Sequence, residues 1–207
     1  MRREIVKKYL EKYSLGVVDA GNSIDSYNSF CRNMGIGSGI EAMIGERLEE
    51  KVFVKVMDIG CGDCGFLGEL KKMFGEHVHT IGVDLLAPLN GPDHMVIGDA
   101  LEAAFPREVD FVFSFRAMHE IGEPEKMVKK VYACLAPGGR AFLSFRTMDL
   151  HAGVQGMGEI GEKEVKALRK MVRSRKLGNF IVDGREVSVS GVNGKKLTAG
   201  VNVFLEK

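Results

Sequence analysis

Three acidic residues each close a strand-like apolar run in this chain. Asp58 ends Phe53–Ile59, Asp84 ends Thr80–Asp84, and Asp99 directly follows His94–Gly98. A carboxylate in such a place attracts a cation and accepts hydrogen bonds from hydroxyls and amines. Between the first and second runs stands Gly60-Cys61-Gly62-Asp63-Cys64-Gly65, leading into a helical pattern. Glycines permit a tight turn and close approach of a ligand to the backbone, and the N–H groups that open a helix favour polar or anionic groups. Alone, the G-x-G-x-x-G spacing reads as a dinucleotide site. The acids argue otherwise. Asp58 would be unhelpful beside a pyrophosphate but suits a cationic ligand. Asp84 is placed for ribose hydroxyls. Asp99 is placed for an exocyclic amine, with the Ala100 N–H for a ring nitrogen. A ligand that combines an amine, a sulfonium, a ribose and an adenine suits this edge better than a pyrophosphate does.

A second group of residues follows the next two strand-like runs. These read Ser114-Phe115-Arg116-Ala117-Met118-His119-Glu120 and Ser144-Phe145-Arg146-Thr147-Met148. His119 is the candidate general base, because an unperturbed imidazole titrates at about pH 6.5. The competing reading is a histidine that caps the next helix or bonds the backbone. Glu120 either supports it or lies at the surface. Arg116 and Arg146 together would suit a carboxylate or phosphate; separately, each would pair with a local acid or face solvent. Tyr9, Tyr13, Tyr27 and Phe30 are candidates to wall a small-molecule pocket, with residues 22–26 as a lid. For Tyr9 and Tyr13, packing of a helix on the sheet is the favoured reading.

Positioning these groups requires alternating elements. Residues 1–51 read as a helical cap, with Ile40–Glu50 its second helix. Strand-like runs then fall at Phe53–Ile59, Thr80–Asp84, His94–Gly98, Asp110–Phe115 and Arg140–Phe145. Helical patterns cover Gly65–Phe74, Pro124–Leu135 and Glu162–Leu177. Short apolar strands alternating with helices predict a parallel sheet covered on both faces. Phe180–Ser190 and Leu197–Glu206 flank Asn193-Gly194, the signature of a closing antiparallel hairpin. The expectation is a single α/β domain over residues 1–207, with the sheet-forming core at 52–207.

At this point the chain resembles the class I S-adenosylmethionine-dependent methyltransferases, over roughly residues 52–146. Asp58-Ile59-Gly60-Cys61-Gly62 looks like the family's glycine motif, which holds the methionine part of the cofactor. Asp84 matches its ribose-binding acid, and Asp99-Ala100 its adenine-binding pair. Leu135-Ala136-Pro137-Gly138-Gly139-Arg140 resembles the turn before its fifth strand. The resemblance implies a Rossmann-like, mostly parallel seven-stranded sheet, ordered 3-2-1-4-5-7-6 with the seventh strand antiparallel. It implies S-adenosyl-L-methionine as cofactor, with Cys61, Leu85 and Phe115 beside the residues already named. It also places His119 and Arg116 in the segment that lines methyl transfer. The Asn/Asp-Pro-Pro-aromatic pattern of enzymes that methylate base amines is absent, and Ser114-Phe115-Arg116-Ala117 stands there instead. A small-molecule acceptor, anionic if the arginines pair, is the expectation. The alternatives are an RNA- or protein-modifying methyltransferase and a catalytically silent cofactor-binding subunit.

Composition sets the outer limits. The 207 residues are 45% hydrophobic and carry a net charge of +1, so the whole-molecule charge points to neither nucleic acid nor membrane. No apolar run reaches the ~20 residues of a membrane helix. The N-terminus lacks the apolar stretch of a secretory signal. Four cysteines, Cys31, Cys61, Cys64 and Cys134, are too few and too scattered for a disulfide scaffold, which predicts a reducing cytoplasm. Cys61-x-x-Cys64 is read as two small residues of the turn, since no second pair offers a metal four ligands. His77-Val78-His79 is read as a solvated loop, and no metal is expected. The basic run Lys163–Lys176 is read as an amphipathic helix with a solvated face, with RNA contact as its minority reading.

Overall fold

In the computed structural model, the structure describes residues 7, 23–33, 36–88, 91–115, 117–121, 123–146, 167, 179–181, 188–190, 196–198 and 200–207. Beyond Lys7, which is helical, the described residues open with α1 (Ile24–Asn33) and α2 (Ile40–Glu50). Strand β1 (Val54–Ile59) leads through the glycine turn into α3 (Gly65–Phe74). There follow β2 (Val78–Asp84), β3 (His94–Ile97) and β4 (Val109–Ser114). After β4 come a short helix, α4 (Met118–Ile121), then α5 (Pro124–Cys134) and β5 (Leu135–Arg146). The chain closes with β6 (Asn179–Ile181), β7 (Ser188–Ser190), β8 (Lys196–Thr198) and β9 (Gly200–Glu206).

The main sheet has seven strands, in the order β3-β2-β1-β4-β5-β9-β6. β1 to β5 are parallel, and β9 runs antiparallel to both β5 and β6. This is the 3-2-1-4-5-7-6 arrangement that the resemblance implied. The predicted closing hairpin is present but interrupted. Its base is the β6–β9 pairing and its outer part is the separate β7–β8 pair. Asn193-Gly194 lies outside the described residues, as does nearly all of the basic run; within it Ala167 alone is described, and it is helical.

Strand alternation sorts the core onto two faces. Val54 and Val56 of β1, Phe111 and Phe113 of β4, and Phe142 of β5 point to the face covered by α1, α2 and α3. Met57, Ile59, Val112, Ala141 and Leu143 point to the other. There α5 presents Met127, Val128, Val131 and Cys134, spaced to form one helical stripe. Pro124 opens α5 at a position where a missing N–H costs nothing.

Two expected boundaries move. β2 begins at Val78, so His79 lies on a strand rather than in a loop; His77 sits in the 3-10 turn Gly75–His77. β5 begins at Leu135 rather than Arg140, because the Pro137-Gly138-Gly139 segment is a bulged part of the strand. Gly138 N–H donates to the Lys207 carbonyl at 2.6 Å, and Lys207 N–H to the Gly139 carbonyl at 3.0 Å. A Cβ at Gly139 would stand 2.8 Å from the Val109 carbonyl oxygen, so only glycine lets β4 and β5 close here.

α2 is fixed to the sheet by a buried charge. Asp110, fully buried on β4, accepts from Lys51 Nζ at 2.8 Å and Arg47 Nε at 3.0 Å. It also accepts from the Lys55 backbone N–H at 3.0 Å. Asp110→Ala leaves these donors without their common acceptor, although both side-chain partners are partly solvated. The expected loss is about 2–3 kcal/mol in a urea titration. A loss below about 0.5 kcal/mol, the scale of an ordinary surface substitution, would show that the cluster does not hold α2.

Candidate active site

The glycine turn is built by hydrogen bonds to the end of β2. Gly60 N–H donates to the Val83 carbonyl at 2.7 Å and Cys61 N–H to the same oxygen at 3.3 Å. Gly60 holds φ +77°, and a Cβ there would collide with the Ala117 side chain. The turn therefore needs glycine both for its backbone angle and for room against the segment after β4. Gly62 N–H donates to Asp84 Oδ2 at 3.0 Å. Gly65 N–H donates to Asp63 Oδ1 at 3.1 Å as α3 begins.

Beneath this turn lies Asp58, on the face covered by α1 and fully buried. Tyr27 of α1 donates its hydroxyl to Asp58 Oδ2 at 2.8 Å. Asp58 Oδ1 is buried and has no hydrogen-bond partner among the described residues. Burial pushes the Asp58 carboxyl up to about 7; the Tyr27 bond pulls it down and the charge of Asp84 adds to the rise. The Tyr27 phenol is itself pushed well up, first by burial and then by Asp58.

Aromatic packing fixes the tyrosine in place. Its ring stacks on Phe66 at 3.9 Å and meets Phe115 edge-on at 5.0 Å. Phe30 in turn stacks on Phe115 at 4.7 Å. The first turn of α1 is tied to α3, with Ile24 N–H donating to Glu69 Oε2 at 2.6 Å. Asn28 joins α1 to α2 by accepting from Ile40 N–H at 2.8 Å and donating to Glu41 Oε2 at 2.8 Å. Tyr27 and Phe30 are thus held in one aromatic cluster with Phe66 and Phe115. Their attachment to Asp58 was not visible from sequence, because nothing in a run of residues pairs positions 27 and 58. Tyr9 and Tyr13 lie outside the described residues.

The other two acids stand at the same rim. Asp84 is largely buried; it accepts from Gly62 N–H and, at 3.3 Å, from Leu86 N–H. Burial pushes its carboxyl up, while hydrogen bonds from the Gly62, Leu86 and Leu85 amides pull it down. Gly98 N–H donates to the Asp84 carbonyl at 2.8 Å, which ties the end of β3 to that of β2. Asp99 is partly exposed and accepts from Leu101 N–H at 3.0 Å, which shapes the turn after β3. Ala100 is buried, and its carbonyl receives Lys130 Nζ at 2.6 Å. Lys130 also reaches the Ala103 carbonyl.

The segments that follow β4 and β5 hold the remaining candidates. Phe115 is buried in the aromatic cluster. His119 and Glu120 lie on the backbone of α4, directly after β4, and Arg146 is the last residue of β5. Arg116 and the side chains of His119, Glu120 and Arg146 fall outside the described residues. Ser114 was passed over in the sequence reading. Its Oγ donates to the Ile59 carbonyl at 2.7 Å and locks the ends of β1 and β4 together. Among the described residues, no group of three or more His, Cys, Asp or Glu could hold a metal. Among them, too, no helix is long and apolar enough to cross a membrane.

Comparison with known proteins agrees with this geometry. A family model described as a methyltransferase domain matches residues 33–177. A curated relative, ubiquinone biosynthesis O-methyltransferase of Pseudomonas entomophila (strain L48), is 29% identical over 103 residues. That alignment covers 44% of this chain and 43% of the relative, so the chain spans less than half of the relative's length. Among solved structures, the Burkholderia thailandensis 1,6-didemethyltoxoflavin-N1-methyltransferase, bound to 1,6-didemethyltoxoflavin and S-adenosylhomocysteine, shares 17% identity at TM-score 0.55. That match covers 98% of this chain and 87% of the other. Haemonchus contortus phosphoethanolamine N-methyltransferase 2 shares 15% identity at TM-score 0.51, over 82% of this chain and 53% of the other. At these identities the structural likeness establishes the fold.

The buried acid makes a pH prediction. The folded-state value of Asp58, about 7, lies above its ordinary value of 3.8. Its stability contribution is therefore present in full below the ordinary value and is lost as pH rises toward 7. Without ligand, the melting temperature of Asp58→Asn relative to the parent should improve between pH 4 and pH 8. A difference that stays flat across this range would show that Asp58 is not held in a raised state.

Proposed function

This chain belongs to the methyltransferase-domain family, and we propose that it binds S-adenosyl-L-methionine at the β1–β2–β3 rim and methylates a small-molecule acceptor beside α4. The observation that carries the cofactor reading is the orphaned Asp58 Oδ1, buried under a turn of backbone amides. A buried acceptor without a donor is costly, and the ammonium of a methionine moiety would supply that donor. Gly60 and Gly62 leave the turn free of side chains beside it, with Cys61 between them. Asp84 has acceptor capacity left for ribose hydroxyls, next to Leu85. Asp99, with the Ala100 amide, is assigned to the adenine, and Phe115 to the wall of the pocket.

The cofactor supplies an already activated methyl group on a sulfonium. The chain's own contribution is then alignment and exclusion of water. Tyr27, Phe30 and Phe66 form an apolar cover over the turn, which suits that second task. His119 is assigned the role of proton acceptor if the acceptor's nucleophile must lose a proton. Arg116 and Arg146 are assigned to an anionic group on the acceptor. Support for these last roles is their place after β4 and β5, strands that lie side by side. A small acceptor is consistent with the relatives, two of which are bound to small substrates.

Isothermal calorimetry with S-adenosylhomocysteine tests the cofactor reading. The parent should bind it and fail to bind NADH. Asp84→Ala should weaken binding by roughly 1.5–3 kcal/mol, the value of hydrogen bonds to a charged acceptor. Affinity should also rise with pH up to about 7, as Asp58 becomes able to receive a cation without first losing a proton. In Asp58→Asn that rise should vanish. Equal affinity in the parent and Asp84→Ala would remove Asp84 from the site, and binding of NADH alone would overturn the proposal. For the acceptor side, His119→Ala should lower turnover about 100-fold or more while leaving S-adenosylhomocysteine affinity intact. Unchanged turnover would exclude a base role.

A further inference from the structure

The cofactor reading gives the thiols of Cys61 and Cys64 no role, yet they meet. Their sulfurs lie 3.1 Å apart. Cys64 N–H donates to the Cys61 carbonyl at 2.9 Å, closing a four-residue turn. Such a turn holds its end Cα atoms within ~7 Å, about the span that a disulfide bridges. Cys64 also holds φ +61°, a left-handed conformation that glycine adopts far more readily. A side chain is thus kept at a position whose backbone would favour none.

The two sulfurs differ in surroundings. Cys64 stands at the N-cap of α3. It is 3% exposed and borders a cavity of about 130 Å³ with Leu67, Gly68, Lys71, Thr80 and Asp93, whereas Cys61 is fully buried and does not line it. Cys61 lies deeper, near Asp58 and Asp84. The neighbouring thiol, burial and these carboxylates all push its thiol up. The cavity beside Cys64 assigns the first attack to that residue. Cys31 and Cys134 are as buried as the pair, their thiols pushed up to about 12 by burial, and serve as internal controls for burial alone.

We propose that Cys61 and Cys64 are a redox modification site, which exchanges with a low-molecular-weight disulfide to form a reversible bridge that weakens cofactor binding. The second half of this proposal rests on the cofactor reading above. In the exchange, the Cys64 thiolate attacks one sulfur of the small disulfide and expels one thiolate. The Cys61 thiolate then attacks the Cys64 sulfur of the mixed disulfide and expels the other. One S–S bond breaks in the small molecule and one forms in the protein. Two protons leave the cysteines for the expelled thiolates, and two electrons pass to the small molecule, which becomes two thiols. The bridge draws the sulfurs in to about 2.05 Å. Gly62 lies inside the contracted loop, so its hydrogen bond to Asp84 is disturbed.

The test uses the full reduced chain and oxidised glutathione at pH 8, followed by alkylation and mass spectrometry. The expected product has lost two alkylatable thiols, carries a Cys61–Cys64 link, and reverts with dithiothreitol. Cys61→Ser should instead retain one glutathione on Cys64. The bridged protein should bind S-adenosylhomocysteine roughly tenfold more weakly than the reduced protein. Four alkylatable thiols after treatment, or glutathione only on Cys31 or Cys134, would overturn the site. A bridged protein that binds as tightly as the reduced one would overturn the coupling. Bridging in a protein whose reduced form binds no S-adenosylhomocysteine would support the site while refuting the cofactor reading and the coupling that rests on it.

Discussion

A carboxylate sealed under an aromatic lid is the constraint around which the rest of the molecule is organised. Asp58 is fully buried, yet one of its oxygens finds a donor only by reaching a residue 31 positions earlier in the chain. That donor, Tyr27, must be held rigidly to be useful. Its stacking on Phe66, the Ile24–Glu69 bond and the Asn28 bridge to α2 all serve that end. Helices α1 and α2 are thereby committed to one face of the sheet. The cost of the buried acid explains why so many unrelated contacts converge on a short N-terminal helix.

The acids at the rim divide their labour by burial. Asp58 faces inward and keeps an oxygen unmet among the described residues; Asp84 spends part of its capacity shaping the glycine turn; Asp99 is partly exposed and shapes the turn after β3. Three residues of similar chemistry thus occupy three environments. Burial raises the proton affinity of the first two. Such a gradient suits a ligand with a cationic end and a neutral, hydroxyl-bearing remainder.

Much of this was readable from the chain itself. Helices α2 and α3 begin and end where their apolar spacing and flanking glycines place them, and the strand order followed from the family resemblance. Local signals failed where a distant partner decides. The start of β5 depends on Gly138-Gly139 meeting Lys207 and Val109, which no window around residue 138 contains. His79 joined β2 because Val78 pairs with Val54 across the sheet. The Tyr27–Asp58 and Ser114–Ile59 bonds escaped for the same reason. A tyrosine or serine signals only that it can bond, not with what.

The Ser114 bond to the Ile59 carbonyl has one further implication. Strand order reverses between β1 and β4, and helices leave these strands toward opposite faces, so a crevice would open there. The serine stitches the two strand ends together at its floor. The crevice therefore has a fixed depth, whatever the covering helices do. Any change in what such a crevice admits must come from the walls that rise above this seam, so its shape can be altered over evolutionary time without disturbing the floor.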